Sequence, residues 1–386
     1  MIPPSPNHIE IPVKLSSEDS LRLNVLLRQD LKAIRIDDSR MVVYALTDKG
    51  EAQVPLNPNC REEKYLLLVR ELFSTHVLGS PGGYPVYLKR WTRMGQERDE
   101  QSMARLLLLG EPEAVVAVVH TPDISLELAE RAWWSYPSAD MGRQLLQSPR
   151  VVEASLGVEL AEYLIEFLPF EEQHQAMIDS VRLILQPGLI GAEKRKSLWK
   201  KAKRKQSYYI GFLSGAANDL PVNPPAHPLH TSIKSPFNEI FHQENRHTGL
   251  LLKTMDSQGQ AFLNTTAQVL QKIPNQDATV ELMNAVGAYF SDVRPDDKQY
   301  REIEHIMRTA DDTMASSAEI EPIMALHPEL APQLHAIITL SMLSEYLVAP
   351  IFGQSNAIGT VMRRNLKPVT APILVHLTTL NPNIAT

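Results

Sequence analysis

Residues 111–152 read EPEAVVAVVHTPDISLELAERAWWSYPSADMGRQLLQSPRVV, and their punctuation sets the architecture. Apolar runs of helical length alternate with Pro112, Pro122, Pro137 and Pro149, and the same rhythm continues at Pro169 and Pro187. A proline just inside a helix start is tolerated because the N–H it lacks has no intrahelical partner there. Glu111-Pro112-Glu113 and Thr121-Pro122-Asp123 therefore read as helix starts. This spacing predicts short helices stacked in antiparallel pairs over 98–215. An α-solenoid-like array and a plain globular stack both remain open, since no clean self-similar repeat is present.

Toward the N-terminus the pattern changes. Ser16 or Ser17 is placed to cap a helix over Glu18–Leu27, with Leu21, Val25 and neighbouring leucines as its apolar stripe. Ala33–Ile36, Met41–Leu46 and Ala52–Leu56 are short apolar runs separated by turn residues, which predicts a three-stranded meander. A helix over Glu62–His76 follows, then the Gly79–Gly83 break and a strand over Tyr84–Trp91. These elements make an α+β unit over 1–97.

Beyond the stacked helices, residues 216–260 hold Pro221, Pro224, Pro225, Pro228 and Pro236 in a polar background and read as a linker. Residues 261–386 carry apolar-periodic segments near 261–273, 278–290, 296–310, 330–348, 356–366 and 370–379, a C-terminal helical unit. The expected fold class is thus mainly α: a small N-terminal α+β unit, stacked short helices, then more helices.

Composition narrows the function classes. Of 386 residues, 44% are hydrophobic and 22% charged, which excludes wholesale disorder and collagen-like chains. The prolines of Met1–Pro12 lack the charged and apolar regions of a secretory signal. Ala336–Phe352 is shorter than a membrane span and holds Glu345 and Pro350. A single cysteine, Cys60, leaves no intramolecular disulfide and fits a reducing cytoplasm. The net charge of -7 argues against a chain that coats nucleic acid over its whole surface.

Against that acidic background, Lys194–Lys205 contains eight cations and no acid. Wound as one helix at ~100° per residue, Leu198, Trp199, Ala202, Gln206, Tyr209, Ile210 and Leu213 fall on one face. Lys194, Lys196, Lys200, Lys201, Lys203, Arg204 and Lys205 lie outside it, and only Arg195 does not. Like charges at neighbouring turns cost roughly 0.2–0.5 kcal/mol per pair, so such a ridge needs packing beneath it or an acidic partner above. The seven outward cations are the candidate partner-binding residues, for an acidic protein surface or for RNA. Tyr208 and Tyr209 are candidates for stacking on bases, and Lys89-Arg90-Trp91-Thr92-Arg93 is a second mix of cations and an aromatic.

Other chemistry is thinner. Four of the twelve histidines follow a glutamate by three residues: Glu171/His174, Glu239/His242, Glu244/His247 and Glu302/His305. Paired on helices, this spacing builds di-iron carboxylate sites, which makes Glu171, His174, Glu302 and His305 the metal candidates. The surrounding pattern is not an up-down four-helix bundle, so surface pairs and helix caps are the simpler reading. His227, His230, His242 and His247 cluster in the linker, where an imidazole site must overcome ordering entropy. Cys60, beside Arg61, is a sulfur-carrier candidate. Gly353–Ala357 departs from the nucleophile-elbow pattern in its last glycine, and Gly79–Gly83 lacks the ending of a phosphate-binding loop. No cofactor or small-molecule substrate is indicated.

Several strings resemble one family when taken together. MVVYALTDKGEAQVPLNPN (Met41–Asn59), GSPGGYPVYLKRWTRM (Gly79–Met94), LLLGEPEAVVAVVH (Leu107–His120), Ala132–Trp134 and FLPFE (Phe167–Glu171) are similar to the DsrS proteins of bacterial sulfur oxidation. The resemblance spans about residues 18–215. It implies a cytoplasmic accessory protein encoded with reverse-type dissimilatory sulfite reductase, without catalytic residues to transfer. The expectation is a non-catalytic accessory or regulatory protein of sulfur oxidation that binds a macromolecular partner through the basic helix. The alternative is a small enzyme with a metal-carboxylate site or a Cys60 sulfur carrier.

Overall fold

The structure, a computed structural model, describes residues 14–94, 99–234, 245–354 and 357–384. It is mostly helical, with a three-stranded antiparallel sheet near the N-terminus. The chain divides into two compact units, Met1–Tyr163 and Leu164–Thr386.

In the first unit, α1 (Ser17–Leu26) is capped by the Ser16 hydroxyl, which accepts from the Asp19 N–H at 3.2 Å. Its buried apolar residues are Leu23 and Leu26, while Leu21 and Val25 face solvent, so the inward stripe lies one step round from the expected one. The meander follows as β1 (Leu31–Asp37), β2 (Val42–Thr47) and β3 (Gly50–Pro55), with Ile34 opposite Ala45 and Val43 opposite Val54. Those side chains close over α2 (Glu62–Leu78), whose Tyr65, Val69 and Phe73 complete the core. Gly79 ends α2 in the left-handed conformation at φ 71°, a backbone that a Cβ disfavours.

The Tyr84–Trp91 segment is α3 (Gly83–Met94), not a strand. Tyr84, Val86 and Leu88 alternate as a strand would, but Tyr84 and Tyr87 also sit one turn apart and stack at 6.3 Å. Pro85 falls in the first turn, where no N–H is required, and the Glu111 carboxylate accepts the Tyr84 N–H at 2.9 Å.

Short helices then succeed one another: α4 (Glu100–Leu106), α5 (Pro112–Val119), α6 (Leu126–Ser135), α7 (Ala139–Leu145), α8 (Pro149–Val152) and α9 (Ser155–Phe167). Pro112 and Pro149 open α5 and α8 as read from sequence. Pro122 opens nothing: residues 121–123 form a turn, with Asp123 at φ 52°, and α6 starts after Ser125, whose hydroxyl accepts the Leu128 N–H.

The second unit contains α10 (His174–Ile184), α11 (Ala192–Ala202), α12 (Gln206–Gly215), α13 (Arg246–Met255), α14 (Ser257–Gln271) and α15 (Gln276–Tyr289). It continues through α16 (Ile303–Ser316), α17 (Glu321–Leu326), α18 (Ala331–Ser341), α19 (Ala349–Phe352) and α20 (Gly359–Leu380). Helix α12 packs against α10, α11, α14 and α15, a globular cluster in place of the neighbour-only contacts of a solenoid. Gly211 and Gly215 permit that closeness. A Cβ on Gly211 would meet the Val181 Cβ at 2.6 Å, and one on Gly215 the Arg182 carbonyl at 2.9 Å.

Residues 216–234, read above as part of a linker, are pinned along much of their length. The Gln258 side chain bonds Leu220, Val222 and Asn223, the His227 N–H donates to the Met255 carbonyl, and Leu220 and Ile233 are buried. The expected C-terminal segments 356–366 and 370–379 join into one helix, α20, which carries Pro368 and Pro372 internally. The apolar run after Ala336 ends α18 at Ser341 and passes through short turns into α19. Among the described residues no helix is long and apolar enough to cross a membrane.

Candidate partner-binding surface

Lys194–Leu213 coils, but as two helices. α11 ends at Ala202, Lys203 and Arg204 form a turn, and α12 starts at Gln206 after Lys205 in an extended conformation (φ -123°, ψ 93°). No proline or glycine marks the break. Its cause is tertiary: the Lys205 ammonium donates to the carbonyls of Leu168, Pro169 and Glu171 at 3.5, 3.4 and 3.2 Å. Lys205 is thus a structural tie, which removes it from the outward ridge.

The break turns α12 into the core. Tyr208 and Tyr209 are 2% and 4% exposed, and the Tyr208 hydroxyl donates to the Leu168 carbonyl at 3.1 Å. Burial pushes both phenol pKa values up. Neither ring is available to a base, so the expected stacking platform is absent at these positions. The buried face of α11 is as read: Leu198, Trp199 and Ala202 point inward, with Trp199 set edge-on to Tyr209 and Phe212 at 4.7 and 5.0 Å.

Other cations of the segment have internal partners. Arg195 pairs with Asp219 at 2.8 Å, and Lys196 with Glu193 at 3.2 Å. Lys194 is exposed on the first turn of α11. Lys200, Lys201, Lys203 and Arg204 are exposed, and among the described residues no carboxylate lies within ion-pair distance of them. The outward charge therefore concentrates in four residues at the end of α11 and the turn behind it. The dipole of α11 also favours cations at this end.

Beside this turn lies a feature that charge patterning did not disclose. Leu168–Phe170 forms a single 3-10 turn in which Phe170 is 77% exposed, and Phe167 stands next to it with ring centroids 6.5 Å apart. Lys205 binds the carbonyls of this knuckle, so the two phenylalanines and the cationic turn are fixed side by side. The available sequence signal was Phe167-Leu168-Pro169-Phe170, a proline that stops α9 between two large apolar residues.

The metal candidates are not brought together as a site. Glu171 accepts the N–H groups of Glu172 and Gln173 at 3.1 Å, and the His174 Nδ1 contacts the Ser207 hydroxyl at 2.7 Å. Glu302 and His305 form an exposed pair of their own at 3.4 Å. Among the described residues no group of three His, Cys, Asp or Glu is arranged to hold a metal ion. Glu239, His242 and Glu244 lie outside the described residues. His247 is buried, and its Nδ1 meets Glu319 at 3.0 Å; burial holds its pKa below the ordinary imidazole value although Glu319 opposes this. His227 is also buried, with Nδ1 accepting the Leu229 N–H. Cys60 is half-buried against the N-terminal core. Lys89–Arg93 forms the later part of α3, and its side chains from Arg90 onward lie outside the described residues.

No family model, curated protein or solved structure matches the chain.

Proposed function

We propose that the protein acts without catalysis, as an accessory or regulatory protein that docks an acidic surface of a partner protein on Lys200, Lys201, Lys203 and Arg204. One observation carries this reading: four exposed cations without a counter-charge among the described residues, on a chain of net charge -7, held over a core anchored by Trp199. Such a cluster is costly to the isolated fold and is relieved when a carboxylate-rich surface covers it. Arg204 contributes a planar fork that matches carboxylate geometry. Phe170 supplies an apolar contact beside the charges, the combination of aromatic and cationic groups common at protein interfaces.

A protein partner is favoured over RNA because both tyrosines of the segment are sealed in the core. The resemblance to the DsrS proteins supports a role in cytoplasmic sulfur oxidation, with the partner drawn from that machinery. The test is affinity capture from sulfur-oxidising cells with the wild-type chain and with a Lys200→Glu, Lys201→Glu, Lys203→Glu, Arg204→Glu variant, with and without ribonuclease. The expected result is a ribonuclease-resistant complex that the variant loses while its circular dichroism is unchanged. A complex retained by the variant, or one removed by ribonuclease, overturns the proposal.

A further inference from the structure

A second site, independent of the cationic ridge, is formed in the first unit between α6 and α9. A cleft of about 500 Å³ is walled there by Trp133, Trp134 and Tyr163, with Glu130, Glu159 and Arg35 also in its lining. Each helix contributes a carboxylate one turn before an aromatic ring, Glu130 before Trp134 on α6 and Glu159 before Tyr163 on α9.

The walls are fixed. Trp133 and Tyr163 meet edge to face at 4.9 Å, and the Trp133 indole N–H donates to Glu159 at 2.7 Å. The protein's own Arg35 shows what this aromatic surface attracts: its guanidinium lies 5.0 Å from the Trp134 ring and 4.7 Å from Tyr44. The charge of Arg35 is met by Glu51 at 3.6 Å. Among the described residues neither Glu130 nor Glu159 has a cation within ion-pair distance. Two carboxylates and three aromatic rings lining one cleft, whose own cation Arg35 is already paired with Glu51, make a receptor for further positive charge on an apolar frame.

We infer that this cleft binds an organic cation of the alkylammonium or guanidinium class, presented either by a free small molecule or by a lysine or arginine side chain of a partner. The ring faces hold the cation by its polarisable surface, and Glu130 and Glu159 supply the counter-charge.

The full chain is titrated at constant ionic strength with choline, with agmatine, with an N-acetyl-Gly-Arg-Gly-amide peptide and with 3,3-dimethylbutanol, the neutral isostere of choline. Binding is read by calorimetry and by tryptophan emission. At least one cation is expected to bind saturably at millimolar concentration or tighter, while the neutral isostere does not. Binding by choline or agmatine identifies a free small molecule, and binding by the peptide alone identifies a partner side chain. A Glu130→Gln, Glu159→Gln variant retains the Trp133 acceptor and is expected to lose at least tenfold in affinity; Trp134→Leu is expected to lose a similar factor. Absence of saturable binding by every cation, equal binding of the neutral isostere, or full affinity in the glutamine variant of unchanged circular dichroism overturns the inference.

Discussion

His376 makes the second unit sensitive to acid. It lies on α20 with its ring 5.5 Å from that of His335, 8% exposed, and burial, helped by the His335 charge, pushes its pKa from 6.5 down to about 4. The folded state thus holds the imidazole neutral, whereas the unfolded chain takes up a proton below pH 6.5. Stability is fully present above that value and falls as pH drops toward 4. For one group with these two values, linkage gives a loss of about 1.4 kcal/mol at pH 5.5 and about 2.6 kcal/mol at pH 4.5, nearly all of it absent at pH 7.5. The Nε2 of His335 contacts Asp311 at 3.2 Å. The assay is urea unfolding followed by far-ultraviolet circular dichroism at pH 7.5, 6.5, 5.5 and 4.5, for the wild type and for His376→Gln. Carboxylates titrate in both chains, so the difference between the two pH profiles isolates His376. The variant is expected to be less acid-sensitive by about 2–3 kcal/mol across that range. Parallel profiles would refute the assignment of a buried neutral imidazole.

Gly211→Ala forces the Val181 side chain and the Ile178 carbonyl away from α12, and a loss of about 1–3 kcal/mol in urea unfolding is expected. Trp199→Ala removes a buried ring with two edge-on neighbours and is expected to cost about 3–5 kcal/mol, read as a lower unfolding midpoint at unchanged slope. Lys205→Met removes one donor from three carbonyls, of which Leu168 keeps the Tyr208 hydroxyl, and should destabilise by about 1–2 kcal/mol, whereas Lys200→Met should change unfolding by less than about 0.5 kcal/mol. Equal effects of these two lysine substitutions would contradict the division between a structural and a surface cation.

The local rules of the chain made much of this legible in advance. The meander followed from short apolar runs and turn residues, and α2 from its periodicity and its closing glycine. The inward face of α11 was readable from Leu198, Trp199 and Ala202 at helical spacing. What was hidden depends on groups distant in sequence. The break at 203–205 is imposed by carbonyls more than thirty residues away, and it decides which lysines face outward and where Tyr208 points. Helix α3 depends on a cap from Glu111, twenty-seven residues on from Tyr84. Residues 216–234 read as a linker because four prolines sit in a polar background, yet Gln258 alone supplies several of the bonds that order them. The cleft between α6 and α9 was not legible at all, because Glu130 and Glu159 belong to different helices and neither forms a recognised motif.

The proposed ridge makes a specific demand on salt. For the captured complex, affinity measured between 50 and 300 mM salt should fall steeply for the wild type, since exposed charges are screened over roughly 8–10 Å near physiological ionic strength. Neutralising Lys200, Lys201, Lys203 and Arg204 to glutamine should flatten that dependence and weaken binding most at low salt. A wild-type affinity indifferent to salt, or a slope that the glutamine variant leaves intact, would contradict docking by these four side chains.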